Sequence, residues 1–384
     1  MPEDTQAQLS STEAFFVLNR LPGMGPITAS KLMRALGGDP VRILEASKAE
    51  LKSVDGVGPT LAETITTWKD QVNLDEERAQ LRQAGVRFTG RGDEDYPKLL
   101  QEIYDPPLGF YSKGKASLGK RSIAIIGSRR ATLYGASMAR RLARELASLG
   151  FCITSGLARG IDTAAHEGAL EAGGTTAAIL GCGVDIVYPP ENQALYDRIV
   201  ESGRVISEFK LGRRADRQTF PMRNRIISGM SEATIVVESD VKGGSMITAR
   251  LAGEQGRLIF AVPGRVDQSS SRGCHQLIRD GAILLRSVDD LLEELQYGAQ
   301  LNLGFDGKKH EDGKKGSAPQ TIELSEDETR VLGALSAEGI LSMNMLAGIT
   351  GLPTSTIAGT LLLLELKKLL VKRADGTFEI RNNS

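Results

Sequence analysis

Four short stretches of this chain combine glycine with arginine or hydroxyl side chains in a pattern suited to holding a phosphate-sized anion. The first runs from Gly127 through Ser128, Arg129 and Arg130 to Thr132, directly after the apolar run SIAII. A glycine-rich turn between a strand and a helix exposes backbone N–H groups beside the helix N-terminus, and that combination attracts anions. Arg129 adds a planar fork that matches phosphate. The stretch is neither a full GxGxxG fingerprint nor a GKS/T phosphate loop, and a plain tight turn is the competing reading. The second is SGLARGIDTAAH, Ser155 to His166, where Ser155, Gly156 and Arg159 are the candidate contacts. Asp162 reads as a cap of the following helix and His166 as structural. The third is RRADRQTFPMRNRIISG, in which Arg213, Arg214, Arg217, Arg223 and Arg225 surround Phe220 and Asn224. Arginines that track a sugar-phosphate backbone, with a ring on which a base can stack, are what single-stranded nucleic acid requires. A solvated charged face with Phe220 in the core is the alternative. The fourth is GGSMITA, with Gly243, Gly244, Ser245 and Thr248 opening a helix.

These stretches need a scaffold that brings them to one place. From Ser122 onward, short apolar runs (SIAIIG, FCIT, TTAAIL, RVIS, TIVVE, LIFAV, AILL) alternate with helical segments. Runs with no polar alternation suit strands buried on both faces. In YGASMARRLARELASLG, Met138, Leu142, Leu146 and Leu149 recur at helical spacing and Gly150 ends the helix. The alternation predicts an α/β fold with an extended Rossmann-like, doubly wound, mostly parallel sheet. In such sheets ligands bind beyond the carboxyl ends of the strands, and all four stretches follow strand ends.

The flanks read differently. Residues 1–12 are polar and are expected to form a disordered tail, and residues 13–74 an all-helical domain. Two turns there repeat, Leu21-Pro22-Gly23-Met24-Gly25-Pro26 and Val54-Asp55-Gly56-Val57-Gly58-Pro59, in the manner of helix-hairpin-helix elements. Their amides could hold a DNA phosphate, or the glycines could merely permit a tight turn. Residues 75–297 form the core and 298–322 a Gly/Lys/Asp-rich linker. Residues 323–384 read as three helices and a hairpin turning at Asp375-Gly376, a winged helix. Its third helix carries only Lys367 and Lys368, near its end, which favours protein contact or regulation over groove reading.

Lys plus Arg is 47 and Asp plus Glu is 48, a net charge of −1, so any nucleic-acid binding must come from local clustering of base. The three cysteines and three histidines are scattered without metal spacing, which argues against a metal site and against cofactors. No apolar run approaches the ~20 residues of a membrane span, and the chain is expected to be cytoplasmic. No nucleophile has an evident neighbouring base. Glu208 and Glu238 stand at strand ends as the only candidates for acid–base work.

The blocks IIGSRRAT, SGLARGIDTAAH, LGCGVDIVYPPEN, ISEF, FPMRNRIISGMS, VVES, GGSMITA, AVPG and GCHQLIRDGA occur in order between Tyr96 and Leu292. In this the chain resembles the DNA-processing protein A (DprA/Smf) family. The resemblance implies a non-catalytic protein that binds single-stranded DNA, forms a homodimer and loads the RecA recombinase in natural transformation. It also implies an N-terminal SAM-like domain and a C-terminal winged helix, as some members carry. By matching motif, Gly127-Ser128-Arg129 is the phosphate loop, and Arg217 and Phe220 are the basic and aromatic DNA contacts ahead of the Arg223-Asn224-Arg225 block. His275, Ile278 and Leu284 fall in the dimer-forming region. Pro190 stands where some members place Lys, and His275 where many have Asn. A nucleotide-cleaving phosphoribohydrolase on the same fold is the enzymatic alternative, but the Thr and Glu of its PGGxGTxxE motif do not line up in KGGSMITARLAGE.

Overall fold

The computed structural model describes residues 9–118, 121–302, 325–339, 341–367, 369–372 and 377–380. The described residues fall into two compact units, one ending before residue 303 and the other beginning after residue 324.

The first unit is built on nine strands: β1 (Arg87–Gly90), β2 (Gly109–Lys113), β3 (Ser122–Ile126), β4 (Cys152–Ser155), β5 (Thr176–Ile179), β6 (Arg204–Ser207), β7 (Ala233–Val236), β8 (Leu258–Ala261) and β9 (Ile283–Leu284). Their order in the sheet is β1-β2-β6-β5-β4-β3-β7-β8-β9. From β6 to β9 every neighbour is parallel. The parallel part starts in the middle at β3, winds outward through β4, β5 and β6, then returns to the other flank of β3 as β7. The sheet therefore reverses its winding between β3 and β7, and a crevice must open there beyond the strand ends.

β3 shows why the apolar runs are continuous. All five of its residues are buried. Ile123 and Ile125 pack under the helices Leu133–Ser148 and Ile161–Glu171. Ala124 and Ile126 pack on the opposite face, against residues of the helices Thr219–Gly229 and Gly244–Glu254. Side chains alternate with a period of two, and both faces are dry. The seven runs anticipated from Ser122 onward all form strands. Leu142 and Leu146 of the Leu133–Ser148 helix are buried as their spacing requires, while Leu149 lies past the last turn and is exposed.

β2 is an addition the sequence reading passed over. It follows Pro106 and Pro107, which break any long helix here, and it pairs antiparallel with both β1 and β6. The hairpin extends the sheet and receives the N-terminal helices. Phe16 of the Ser11–Arg20 helix, Phe88 of β1 and Tyr111 of β2 meet edge to face, with centroids 5.1 to 6.1 Å apart. Such pairs add about 0.5–1.5 kcal/mol beyond their buried area. The apolar faces of the N-terminal helices thus share one core with β1, β2 and β6, instead of closing a core of their own.

Both helix-hairpin-helix turns form, and they match bond for bond. Met24 N–H donates to Leu21 O at 3.2 Å and Val57 N–H to Val54 O at 3.1 Å. Gly23 and Gly56 take φ of +79° and +88°, which only glycine adopts freely. Two expected limits shift. The first helix starts at Ser11, inside the expected 1–12 tail, because Ser10 and Glu13 form a capping box. The Val288–Asn302 helix runs five residues into the expected 298–322 linker.

The second unit has helices Glu326–Glu338, Met343–Thr350 and Thr354–Leu366 with a small three-stranded sheet, around a core of Val331, Leu335, Leu346, Leu361 and Phe378. The turn expected at Asp375-Gly376 lies outside the described residues. Lys367 Nζ is 2.7 Å from Glu328, so that base at the end of the third helix is committed within the unit.

Candidate nucleic-acid interface

A cleft of ≈ 480 Å³ opens at the β3/β7 switch point. The loops after β3, β4 and β7 and the start of the Thr219–Gly229 helix line it, and so it gathers Gly127, Ser128, Arg129, Arg130, Arg217, Phe220, Asn224, Gly243, Gly244, Ser245 and Thr248. Arg129, Arg130 and Arg217 form no ion pair with any described carboxylate. Nearby Arg213 and Arg159, by contrast, are paired with Asp216 and Glu191. The acidic residues of the wall are Asp162 and Asp240. Asp162 is turned inward, where it accepts from the N–H groups of Gly156 at 3.1 Å and Ala158 at 3.4 Å. Burial raises its carboxyl above the ordinary range, opposed by the Arg223 guanidinium and those amides.

An aromatic stack borders the cleft. The Arg129 guanidinium carbon lies 5.2 Å from the centroid of Phe220, and the Phe220 and Tyr188 rings meet at a tilt with centroids 5.4 Å apart. A cation over the ring face contributes about 0.5–1 kcal/mol at an exposed site. Phe220 is half-buried and Tyr188 is 41 % exposed. Arg129, Tyr188, Phe220 and Arg223 also line a small adjoining slot of ≈ 20 Å³, together with Gly156 and Arg159.

The backbone amides of the four stretches fare differently from expectation. In the first, Ser128 N–H donates to Glu238 O at 2.8 Å and Arg130 N–H to Ser128 Oγ at 3.0 Å. The helix that follows begins on the protein's own anion. Glu238, 3 % exposed, accepts from Thr132 N–H at 2.9 Å and from Thr132 Oγ at 2.5 Å, and Thr132 Oγ in turn caps Gly135 N–H. In the second stretch the amides of Gly156, Leu157 and Ala158 donate to Asp162 and His166. The fourth is open. The Gly244–Glu254 helix has no side-chain cap, Gly243 is its N-cap, and a Cβ on Gly244 would meet nothing within 4 Å. Gly243 N–H donates to Asp240 O at 2.8 Å and Met246 N–H to Gly243 O at 3.0 Å, which leaves the amides of Gly244 and Ser245 open among the residues that line the cleft.

Several expected contacts prove to be internal. Ser155 is fully buried and its hydroxyl donates to Ile125 O at 2.6 Å. Arg223 is 5 % exposed and gives its guanidinium to Gly156 O at 2.6 Å and to Ile179 O, so it braces two strand ends from the wall of the cleft. Arg225 points away altogether, into a buried pair with Glu208 at 2.5 Å and a bond to Asp105 O at 2.7 Å. Gly127 and Gly156 serve close packing: a Cβ would sit 2.6 Å from Ile161 at the first and 2.3 Å from Arg223 at the second. Asp162 ties the loop and does not cap the helix, whose N-cap is Gly160. Glu208 and Glu238 are both committed to structural bonds.

The family model for DNA recombination-mediator protein A matches residues 87–296, more than half of the chain, and that for the DprA winged helix domain matches residues 315–376. Protein Smf of Synechocystis is 31 % identical over 94 % of this chain and 97 % of its own length. The chain belongs to the DprA/Smf family. DNA processing protein DprA of Streptococcus pneumoniae is 42 % identical over 53 % of this chain and 73 % of its own. The crystal structure of DprA from that species superposes with a TM-score of 0.65 at 33 % identity, covering 75 % of this chain and 98 % of that one. A structure of DNA processing protein A from Helicobacter pylori, described for its single-stranded DNA binding mode, gives 0.50 at 32 % identity, covering 55 % and 97 %.

Within this DprA/Smf fold the expected dimer residues lie on the edge strand β9 and on the Arg272–Arg279 helix that precedes it. Leu284 of β9 is 40 % exposed, Ile278 is half-buried against the core, and His275 Nε2 donates to Gly264 O at 3.0 Å. Tyr188 and Glu238 are the residues of the site that the sequence reading missed. Tyr188 carried a signal, an aromatic held next to Pro189 in VYPPEN beside a strand end. Glu238 was noticed only as a possible acid or base.

Proposed function

We propose that the protein binds single-stranded DNA without sequence preference in the β3/β7 cleft, and that as a homodimer it mediates loading of the RecA recombinase in DNA recombination and natural transformation. The observation that carries the reading is the meeting, at one cleft, of three unpaired arginines, an uncapped helix N-terminus and the Arg129–Phe220–Tyr188 stack. The open amides of Gly244 and Ser245 and the forks of Arg129, Arg130 and Arg217 hold phosphates. These contacts read no base edge. Phe220, alone or with Tyr188, stacks bases at about 1–3 kcal/mol each, which every base can satisfy. Binding and presentation of the strand are the whole activity, with no bond made or broken. The relatives' names and the Helicobacter pylori structure support the strand-binding part. The exposed Leu284 edge supports the homodimer.

The test is oligonucleotide binding over a range of salt. Affinity falls with log slope of about −0.7 per phosphate contact on a single strand. Arg129→Ala and Arg217→Ala each weaken binding and flatten that slope by about 0.7, and Phe220→Leu weakens it without changing the slope. Wild-type affinity and slope in both arginine variants would mean the cleft is not the DNA site.

A further inference from the structure

A second pocket lies on the seam between the N-terminal helices and the sheet. Its volume is ≈ 360 Å³, and its charged lining residues are Arg34 and Arg91. Both guanidinium groups converge on one residue: Arg91 Nη1 donates to Ser30 Oγ at 2.9 Å and Arg34 Nε to Ser30 O at 3.4 Å. Neither arginine has a described carboxylate partner. The acids closest in sequence are turned elsewhere, Asp93 to Thr12 and the Gly90 amide, Asp39 to the Val41 amide. Arg91 is half-buried, and burial draws its guanidinium below the ordinary range. Arg34 is exposed and Arg91 half-buried, so the recess offers an anion two arginines that no described carboxylate pairs. Phe15, Met33 and Pro40 line the apolar side of the same recess.

The sheet fixes where this pocket lies. β1 runs antiparallel to β2 and β2 antiparallel to β6, so β1 points the same way as β6, β4 and β3. Arg91 directly follows β1 and therefore stands on the same edge of the sheet as the cleft, five strand spacings from β3, about 24 Å. The ground between is the segment after β6, where Lys210 and Arg214 are exposed and unpaired. Asn19 Nδ2 donates to Glu208 O at 3.4 Å at that same strand end, so the N-terminal helices reach over this edge. A stacked strand advances about 3.4 Å per nucleotide and covers the distance in about seven nucleotides.

We infer that the Arg34–Arg91 pocket is a second phosphate seat, which takes a nucleotide of the same DNA strand several residues away from the cleft. The inference rests on strand binding in the cleft. It makes the N-terminal helices part of the DNA path through their junction with the sheet, with the glycine turns at Gly23 and Gly56 playing no role in it.

Full-length protein is titrated by fluorescence anisotropy with oligothymidylates of about 4 and about 20 nucleotides, one too short and one long enough to span both sites. Arg34→Glu, an exposed change that leaves the fold intact, lowers affinity for the long strand about tenfold and leaves the short one unchanged. Arg91→Gln does the same, and Arg217→Ala weakens both lengths. If Arg34→Glu and Arg91→Gln bind the long strand as wild type does while Arg217→Ala weakens it, the second seat is overturned and the cleft stands. If wild type binds neither length, the cleft reading falls, and the pocket is judged with deoxyadenosine monophosphate. A rise in melting temperature with that nucleotide, lost in Arg34→Glu, keeps the phosphate seat but assigns it to free nucleotide. No rise overturns it.

Discussion

Two helices begin at the same edge of the same crevice, one after β3 and one after β7, and each follows a glycine-rich turn. The Leu133–Ser148 helix starts on a buried carboxylate, Glu238, with the Thr132 hydroxyl filling the next position. The Gly244–Glu254 helix starts on nothing but Gly243. The helix dipole and unsatisfied amides are alike at both ends, so each start is suited to an anion. One has been given an internal anion and serves to lock β3 to β7. The other has no side-chain cap, and in the proposed binding mode the strand supplies its anion. A glycine-rich strand-to-helix turn is therefore evidence of an anion, and its surroundings decide whose anion it is.

The sharpest way to break this contrast is to remove the internal anion. Glu238→Ala leaves the Thr132 amide and hydroxyl without their buried acceptor and strips the charge from the helix start. Losing two hydrogen bonds to a buried charge costs about 3 kcal/mol. A matching drop in the urea midpoint, at unchanged m-value, is the expected result. A variant as stable as wild type would mean that the first helix start does not depend on Glu238, and the contrast would collapse.

How much of this could be read in advance follows from the same contrast. The continuous apolar runs of β3 to β8 signalled a sheet buried on both faces, because a two-faced environment leaves its mark on every residue. The gathering of Arg129, Arg217, Phe220 and Gly243–Thr248 at one edge of the sheet was legible too, since all follow strand ends, whereas the switch point needed the strand order. Three things were not. Glu238 and Asp162 sit among motif residues as acids in a basic neighbourhood, and only their distances show that they accept from loop amides. Arg223 and Arg225 have the same type and spacing as binding arginines, yet the helix turns one into the wall and the other into the core against Glu208. The Arg34–Arg91 pair is separated by 57 positions, and nothing local joins them before the Ser11–Arg20 helix docks on β1 and β2.

The loop after β4 belongs with the closed helix start, and pH exposes it. His166 is fully buried, and its Nε2 accepts from Leu157 N–H at 3.3 Å while its Nδ1 meets Thr176 Oγ at 2.7 Å. The Thr176 hydroxyl donates to Ile153 O, so Nδ1 carries the proton. Burial, aided by Arg223, draws the imidazole down from 6.5 to about 3. The unfolded chain takes up a proton below pH 6.5 that the folded protein refuses until about pH 3. Stability from this group is complete above pH 6.5 and is lost as pH falls, by about 2 kcal/mol between pH 6.5 and pH 5. His166→Gln lowers stability at neutral pH and flattens the dependence below pH 6.5. An unchanged slope in that variant would show that the loop is not held by a neutral imidazole.

The finest test converts the open start into the closed one. Gly244 faces space, and its backbone needs no positive φ, so Gly244→Asp introduces a carboxylate at the first position of the second helix without a steric demand. For the fold this is neutral or favourable, since an acid in the first helical turn stabilises by about 0.3–1 kcal/mol. For a phosphate it is a competitor in the same seat. Oligonucleotide affinity should drop about tenfold, while the melting temperature holds or rises. Gly244→Ala, which adds a methyl group and no charge, should stay within about twofold of wild type. The two variants together separate an anion seat from a merely tight place: equal loss in both would mean bulk matters and charge does not, and the open helix start would then have no claim on the strand.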